Sequence, residues 1–299
     1  MVRIKVRGSY DLDLTMYPSF ASSLFDKLGR NRWVKLYGAF KGLKLRFDGR
    51  FVESNVNRPE IVEELSGLWY DPEEHLREVS RGLRNKILPV LDEYSGLRLS
   101  INPYDKELMF VSTVLSQRAD YHATVVRWVR AVASMLEIYG DVRRVPISAL
   151  GRSYQLRRAE VAVRECLRVI ELDESPGFES TWDLKRKLLG CKYVGPKVAN
   201  AYIMFTRRAP YTAPVDIHFQ RFVKRLGLLD YRRKPVKSVC SRYACWSCPF
   251  RSECLEAAAV ENFRALSSWI QTVAYVHDKR YCSRGLCGEC RLKKVCSSP

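Results

Sequence analysis

The pattern of apolar and polar positions divides the chain into a short strand-rich region and a long helical region. Up to about residue 56, apolar and polar residues alternate over residues 3–7, 33–37, 43–47 and 51–53, with glycine-containing turns between them. Alternation with a period of two predicts a small antiparallel sheet with one face in water. Between the first two runs, residues 19–28 have helical spacing and precede Gly29, which predicts a helix with a glycine C-cap.

From about residue 57 the apolar positions recur with the helical period instead. The predicted helices cover residues 59–68, 72–94, 103–117, 121–139, 147–150, 154–172 and 181–189. The predicted fold class is therefore α+β, with a small N-terminal antiparallel sheet followed by a mostly helical body. We expect an N-terminal sheet domain with linking helices at 1–98, a helical body at 99–235 and a cysteine-rich region at 236–299.

One segment of the helical region predicts a helix-hairpin-helix. An apolar helix end at Leu188 is followed by a tight turn at Tyr193, Val194 and Gly195, and Pro196 then opens a new helix. The backbone N–H groups of such a hairpin suit a phosphate. Lys197 follows in the first turn of the second helix.

A carboxylate follows this motif in the sequence. Asp216 comes after Pro214 at the start of an amphipathic helix that carries Phe219 and Phe222 on one side. An amine and a carboxylate are thereby expected near a phosphate-binding turn. The alternatives are a surface lysine at position 197 and a helix N-cap at Asp216.

Composition points to a polyanionic partner. The 299 residues contain 51 Lys and Arg against 33 Asp and Glu, a formal charge of +18, which favours nucleic acid as the ligand. A solvated basic surface or an adaptation to growth conditions is the alternative. No apolar run is long enough to cross a membrane, and the N-terminus alternates like a strand, unlike a signal peptide. We expect an intracellular protein of the cytoplasm or nucleoid.

The cysteines fall into two quartets with identical spacing. Each quartet has four, two and five residues between successive cysteines, and the second is offset by 42 residues from the first. In an intracellular protein such quartets indicate metal sites rather than disulfides, either a zinc ion or an iron-sulfur cluster. The remaining Cys166 is expected to be a core residue of an amphipathic helix, and Cys191 has no partner at metal spacing. The proposed ligands are Cys240, Cys245, Cys248 and Cys254, and Cys282, Cys287, Cys290 and Cys296.

The chain resembles the helix-hairpin-helix (HhH-GPD) DNA glycosylase superfamily. Gly195-Pro-Lys197-Val-Ala is similar to the family's Gly-x-Lys-x-Ala, and Pro214-Val-Asp216-Ile-His218 is similar to its Pro-Val-Asp-x-His. The usual hairpin is Leu-Pro-Gly-Val-Gly; here Lys192 replaces the proline and Tyr193 the first glycine. The N-terminal sheet resembles that of the 8-oxoguanine and 3-methyladenine glycosylase branch.

The resemblance implies a two-lobed helical body that binds double-stranded DNA with a damaged base turned out of the helix. Gln117 would fill the gap that the base leaves, and Tyr193, Val194, Gly195 and His218 would contact the DNA backbone. The alternatives are a solvent contact for Gln117 and a structural hydrogen bond for His218.

The resemblance also implies a bifunctional enzyme, a DNA glycosylase with AP lyase activity. Lys197 would form a Schiff base with the sugar, and Asp216 would stabilise the developing positive charge. The expected substrate is an oxidised purine such as 8-oxoguanine. Oxidised pyrimidines, uracil, hypoxanthine and alkylated bases stay open, as does a non-catalytic iron-sulfur DNA-binding protein. We expect a monomer.

The second quartet resembles the terminal cluster loop of endonuclease III, which has a six-residue first spacing where this chain has four. This implies a [4Fe-4S] cluster on Cys282, Cys287, Cys290 and Cys296. For the first quartet, the matching spacing favours a second [4Fe-4S] cluster, with zinc as the alternative.

Overall fold

A computed structural model describes residues 1–173 and 178–297, and its N-terminal part contains the predicted sheet. The sheet order is β1-β5-β4-β3-β2, and all neighbours are antiparallel. Leu45 and Val52 are buried on one face, whereas Lys44 and Arg46 are exposed on the other, which confirms the predicted wet face. The strands are β1 Val2–Lys5, β2 Phe25–Gly29, β3 Arg32–Lys35, β4 Lys44–Phe47 and β5 Phe51–Ser54.

The helix predicted over residues 19–28 is wrong. A 3₁₀ turn over Phe20–Leu24 leads directly into β2, which pairs with β3. Asn31 adopts a positive φ of 54° in the tight turn between the two strands. Phe25, at the start of β2, is fully buried in the core. Pairing with β3 and burial of Phe25 override the helical spacing, because strand preference depends on tertiary context more than on local sequence.

Helices make up the remainder of the fold, and the α+β class is confirmed. The predicted helix over residues 72–94 is divided into α3, a 3₁₀ turn and α4, and residues 147–150 form a 3₁₀ helix. No helix in the described ranges is long and apolar enough to cross a membrane. The helices are α1 Leu12–Met16, α2 Pro59–Ser66, α3 Pro72–His75, α4 Arg81–Tyr94, α5 Lys106–Leu115, α6 Val126–Tyr139, α7 Tyr154–Glu171, α8 Phe178–Gly190, α9 Pro196–Thr206, α10 Ile217–Arg225, α11 Lys237–Cys240, α12 Leu255–Phe263 and α13 Ser267–Arg280.

The helices pack around two large hydrophobic cores. The first joins the sheet to α5, α6, α7 and α9, and the second joins α4, α10, α12 and α13 around the fully buried Trp269. The first core takes residues from both of the first two predicted domains, whose boundaries stay a prediction. Helix α9 thus belongs to one core, whereas α10 and α13 belong to the other, so the space between them lies at the junction of the two cores.

A buried ion pair fixes the start of α5 against the sheet. Lys35 of β3 is fully buried, and its Nζ lies 2.5 Å from Oδ2 of Asp105, the residue before α5. The same carboxylate accepts hydrogen bonds from the amide of Ala39 and the side chain of Asn102. A buried ion pair needs such additional bonds to offset its desolvation. With its first residue held in this way, α5 delivers Ser116 and Gln117 from its other end.

Candidate active site

The predicted helix-hairpin-helix is present as α8, a turn over residues 191–195, and α9. Pro196 is the first residue of α9, and Gly195 is its N-cap. Tyr193, which stands where a glycine is usual, adopts a positive φ of 60°. The tyrosine therefore keeps the left-handed conformation of the glycine that it replaces, at a cost in strain.

Contacts from α7 hold this turn in place. The Arg158 guanidinium lies 5.1 Å from the centre of the Tyr193 ring and 4.8 Å from that of Tyr154. The amide of Lys192 donates a 2.8 Å hydrogen bond to the Glu165 carboxylate. Within the described residues, the amides of Val194 and Gly195 have no protein acceptor. Gly195 is partly exposed, so its N–H group is available to an anion, whereas Val194 is almost completely buried.

A disulfide between Cys166 and Cys191 also joins α7 to the turn. Cys166 is fully buried in α7, as we expect for a core residue of an amphipathic helix, and the disulfide gives it a partner that the sequence did not indicate. Sequence spacing could not reveal the bond, because it depends on the packing of α7 against the end of α8. The other eight cysteines are free thiols, as the quartet assignment requires.

Lys197 extends from the first turn of α9 into the junction of the two cores. Its Nζ donates a 2.8 Å hydrogen bond to Ser116 Oγ and lies 5.9 Å from the centre of the Phe20 ring. The residue forms part of a pocket wall and is partly exposed there. Burial of the ammonium lowers the pKa of Lys197 below its ordinary value, and the Asp216 charge opposes that shift. Desolvation therefore favours a neutral, nucleophilic amine.

Asp216 is both the N-cap of α10 and a wall of the same pocket. Its Oδ1 accepts a 2.8 Å hydrogen bond from the amide of Phe219, and its Oδ2 accepts one of 3.1 Å from Gln271 Nε2. The N-cap alternative is therefore correct, and it coexists with a position beside Lys197. Since both oxygens are bonded, the carboxylate has one fixed orientation.

The pocket between the two cores has a volume of about 560 Å³. This lies within the range of ligand sites in proteins. Ser116, Lys197 and Asp216 provide its polar groups near the turn, and aromatic rings form much of the remaining wall. Its lining consists of Pro18, Phe20, Ser116, Gln117, Arg118, Ala119, Asp120, Tyr121, Lys197, Ala201, Met204, Phe205, Pro214, Asp216, Ile217, His218, Gln271, Thr272, Tyr275 and Lys279.

Gln117 connects the pocket to the turn. Its Nε2 donates hydrogen bonds to the carbonyls of Val114 and Tyr193, at 3.1 and 3.2 Å. The next residue, Arg118, is exposed and has a positive φ of 53°. Gln117 therefore lies at the pocket and beside the turn, where a side chain that replaces a flipped base would have to be. Its contact with DNA stays a prediction.

His218 also lines the pocket, but its ring is bonded to protein. Its Nδ1 lies 2.6 Å from Oδ2 of Asp278, and its ring packs edge-on against Tyr275 at 5.2 Å. The structural hydrogen bond that we considered as the alternative is thus present. The predicted phosphate contact stays a prediction, and Nε2 is the ring nitrogen that could make it.

The four thiols of the first quartet surround one small cavity. Cys240, Cys245, Cys248 and Cys254 all line a volume of about 30 Å³ between α11 and α12. Burial raises the pKa of Cys240 to about 12 and raises those of Cys245 and Cys254. Among the described residues, no three His, Cys, Asp or Glu side chains converge as ligands of a single metal ion.

The second quartet follows α13 in two short 3₁₀ turns. Cys290 and Cys296 pack against the second core, and Cys290 Sγ lies 3.6 Å from His277 Nε2 of α13. Helix α13 therefore contacts the second quartet through His277 and lines the pocket with other residues.

Sequence reasoning missed the contribution of α13 to the pocket. Gln271, Tyr275 and Lys279 are spaced four residues apart, so they lie on one face of the helix, and all three line the pocket. Lys279 forms a 2.9 Å ion pair with Asp120, which follows Gln117 by three residues in the segment after α5. This spacing was visible in the sequence, but nothing local indicated that the face was turned toward Asp216.

Solved structures with a similar fold include those of two 8-oxoguanine glycosylases. A structure of MBOgg1 in complex with a low-affinity DNA ligand matches with a TM-score of 0.63 at 14% identity, over 93% of this chain and 95% of that one. The Clostridium acetobutylicum 8-oxoguanine glycosylase/lyase with double-stranded DNA matches with a TM-score of 0.61 at 13% identity, over 94% and 98%. The apo-form of the same enzyme matches with a TM-score of 0.62 at 13% identity, over 92% of this chain and 98% of that one.

The chain has the fold of 8-oxoguanine glycosylases. The fold that the sequence motifs predicted, including the N-terminal sheet, is thereby confirmed over nearly the whole chain. No protein-family model and no curated protein matches the sequence.

The effect of the Asp216 charge on the pKa of Lys197 can be tested by substitution. The Asp216 charge raises the pKa of Lys197 and burial lowers it, so Asp216→Asn removes the opposing effect and Lys197 should lose its proton at lower pH. Asparagine can still accept the bond from the Phe219 amide, which preserves the cap. The pH dependence of Lys197 acetylation by acetic anhydride, read by mass spectrometry, measures this shift.

Asp120→Asn is the matched control, because Asp120 lines the same pocket but pairs with Lys279. Its Lys197 profile should overlay that of the unsubstituted protein. An unshifted profile in Asp216→Asn would contradict the proposed coupling.

Proposed function

We propose that the protein is a bifunctional DNA glycosylase and AP lyase that removes a damaged base from double-stranded DNA. The observation that supports this most strongly is that Lys197 and Asp216 line one pocket of about 560 Å³ next to the hairpin. An amine that burial biases toward its neutral form and a carboxylate of fixed orientation are the two groups that the chemistry needs.

The reaction starts with the base outside the DNA stack, because its glycosidic carbon is otherwise unreachable. The Lys197 amine attacks C1′ of the sugar, the bond from C1′ to the base breaks, and the base leaves with its electron pair and takes up a proton. Positive charge develops on the sugar in this step. The Asp216 carboxylate stabilises that charge, an effect that is large when the group is fixed beforehand by hydrogen bonds.

The lyase step needs a Schiff base, which forms when the sugar ring opens. The C1′–O4′ bond breaks, O4′ takes up the proton that the attacking amine gives up, and the nitrogen lone pair forms the double bond to C1′. The protonated imine between Lys197 and C1′ withdraws electrons from C2′, which loses a proton. The electron pair then forms a carbon-carbon double bond, and the 3′ phosphate leaves with the C3′–O bond electrons. Asp216 is the basic group of the pair that can assist proton transfer.

An oxidised purine, with 8-oxoguanine first, is the proposed substrate. The similar Clostridium acetobutylicum structure is described as an 8-oxoguanine glycosylase/lyase with cytosine opposite 8-oxoG. The pocket suits a flat base with polar edges, because its wall includes the aromatic rings of Phe20, Tyr121 and Tyr275. The amide of Gln271 also lines the pocket. We propose a monomer as the active form.

We propose further that the cysteine quartets hold [4Fe-4S] clusters, with zinc as the alternative at the first. The four thiols of the first quartet line one cavity, and thiolates are the donors that either group needs. In the described residues they do not converge on a single point, so binding would have to draw them together. The ligands would be Cys240, Cys245, Cys248 and Cys254 in the first site, and Cys282, Cys287, Cys290 and Cys296 in the second. When bound, the group would order these loops. In the second loop it would fix the basic side chains of Arg284 and Arg291 near the DNA.

The function is tested with duplexes that carry 8-oxoguanine, thymine glycol, uracil, hypoxanthine or an abasic site, in the presence of borohydride. We expect a covalent complex with the 8-oxoguanine duplex. The complex should be lost in Lys197→Gln and retained in Lys279→Gln, which changes a second lysine of the pocket.

Asp216→Asn should still bind DNA while excision falls by roughly 10²–10³-fold. Trapping on another lesion would change the substrate but not the mechanism.

Tight, salt-dependent binding without excision or trapping of any lesion would favour the non-catalytic DNA-binding alternative instead. Full turnover in Lys197→Gln would also contradict the Schiff-base mechanism.

The metal sites are tested by iron, zinc and acid-labile sulfide analysis after anaerobic purification. With a cluster in each quartet, Cys290→Ser should lower bound iron by about half and leave the first site loaded. Cys166→Ser is the control, since Cys166 lies outside both quartets, and it should retain all of the metal. Protein that contains neither iron nor zinc would contradict the assignment.

A further inference from the structure

The first cysteine quartet carries an exposed surface that the glycosylase site does not use. Tyr243, Trp246 and Phe250 lie between its cysteines, and 43%, 46% and 36% of their surfaces are exposed. Tyr243 and Phe250 line one cavity together with Lys234, and apolar surface that is exposed over a contiguous area often marks a binding site. The quartet is located between α10 and α13, outside the helix-hairpin-helix motif and the pocket.

The segment that carries these aromatic rings is strongly basic. Residues 231–254 contain one acidic residue, Glu253, against Arg232, Arg233, Lys234, Lys237, Arg242 and Arg251. The Arg233 guanidinium lies 4.2 Å from the centre of the Phe250 ring. Arg232, Lys234 and Arg242 are exposed and have no ion-pair partner in the part of the chain that the structure describes.

The surface is rigidly connected to the hairpin. Lys237 Nζ donates a 2.6 Å hydrogen bond to the carbonyl of Cys191, the first residue of the turn. Trp246 packs edge-on against Trp182 of α8 at 5.2 Å, and α8 leads into the turn. A fully buried ion pair between Lys185 of α8 and Glu256 of α12 adds a third connection. A nucleic acid held by the hairpin would therefore pass close to this surface.

We propose that this aromatic and basic surface, formed by Arg232, Lys234, Arg242, Tyr243, Trp246 and Phe250, binds single-stranded DNA. Exposed aromatic rings stack on unpaired bases, and unpaired cations next to them attract the phosphates, which is how proteins bind single strands without sequence readout. Paired bases offer no free faces to such rings. The proposal deepens the proposed function, on which it rests for the DNA: the preferred substrate has an unpaired stretch beside the lesion-bearing duplex.

A fluorescent oligothymidine and fluorescence anisotropy at low salt test the proposal without any lesion. Trp246→Ala and Tyr243→Ala should each weaken binding roughly tenfold, whereas Trp246→Phe, which keeps a stacking ring, should bind almost normally. Tyr139→Ala is the matched control, because Tyr139 is 42% exposed at the end of α6 and lies outside this surface. Affinity should fall steeply with added salt.

Arg242→Glu is a second variant in case truncation of Trp246 disturbs its packing on Trp182. It should weaken binding by charge reversal alone, and the bound metal of every variant is compared with that of the unsubstituted protein. The oligothymidine carries no lesion, so a failure of the glycosylase proposal leaves this measurement interpretable.

Absence of binding at low salt, or equal affinity in Tyr243→Ala, Trp246→Ala and Tyr139→Ala, would overturn the proposal. If the aromatic variants instead abolish self-association in sedimentation while oligothymidine binding is unaffected, the surface is a protein interface.

Discussion

The geometry of the site depends on the two hydrogen bonds that hold the Asp216 carboxylate. One oxygen caps α10 at Phe219, and the other accepts the amide of Gln271 on α13. The carboxylate thereby joins two helices of the second core and faces Lys197, which belongs to the first. A carboxylate fixed before substrate arrives need not reorganise as charge develops, which is the main source of electrostatic stabilisation in enzymes.

Lys197 experiences two opposing effects at this junction. Burial between the cores lowers the pKa of its amine, and the Asp216 charge raises it. An exposed lysine is not desolvated in this way and keeps its charge. Burial therefore distinguishes the Lys197 amine from the exposed basic side chains that contribute to the formal charge of +18. The bond to Ser116 directs the amine into the pocket.

The sequence alone was sufficient to predict elements whose apolar positions recur with a clear period and motifs whose residues are close together in the chain. The sheet apart from β2, most helices and the hairpin were located correctly from residue pattern and spacing. Lys197 and Asp216 line one pocket, and their catalytic roles stay a prediction. Strand β2 was missed because its partner β3 determines its conformation. Ser116, Gln271 and the disulfide of Cys166 and Cys191 were missed for the same kind of reason, since each depends on contacts between elements distant in the chain.

Of the two lysines that line this pocket, Lys197 is the one that we propose as the nucleophile. Peptide mapping by mass spectrometry of the borohydride-reduced complex with lesion DNA tests it most directly. We expect a sugar adduct on the peptide that contains Lys197, with fragment ions that assign the adduct to the side-chain amine. An adduct on Lys279 or on the N-terminal amine of Met1, with Lys197 unmodified, would contradict it.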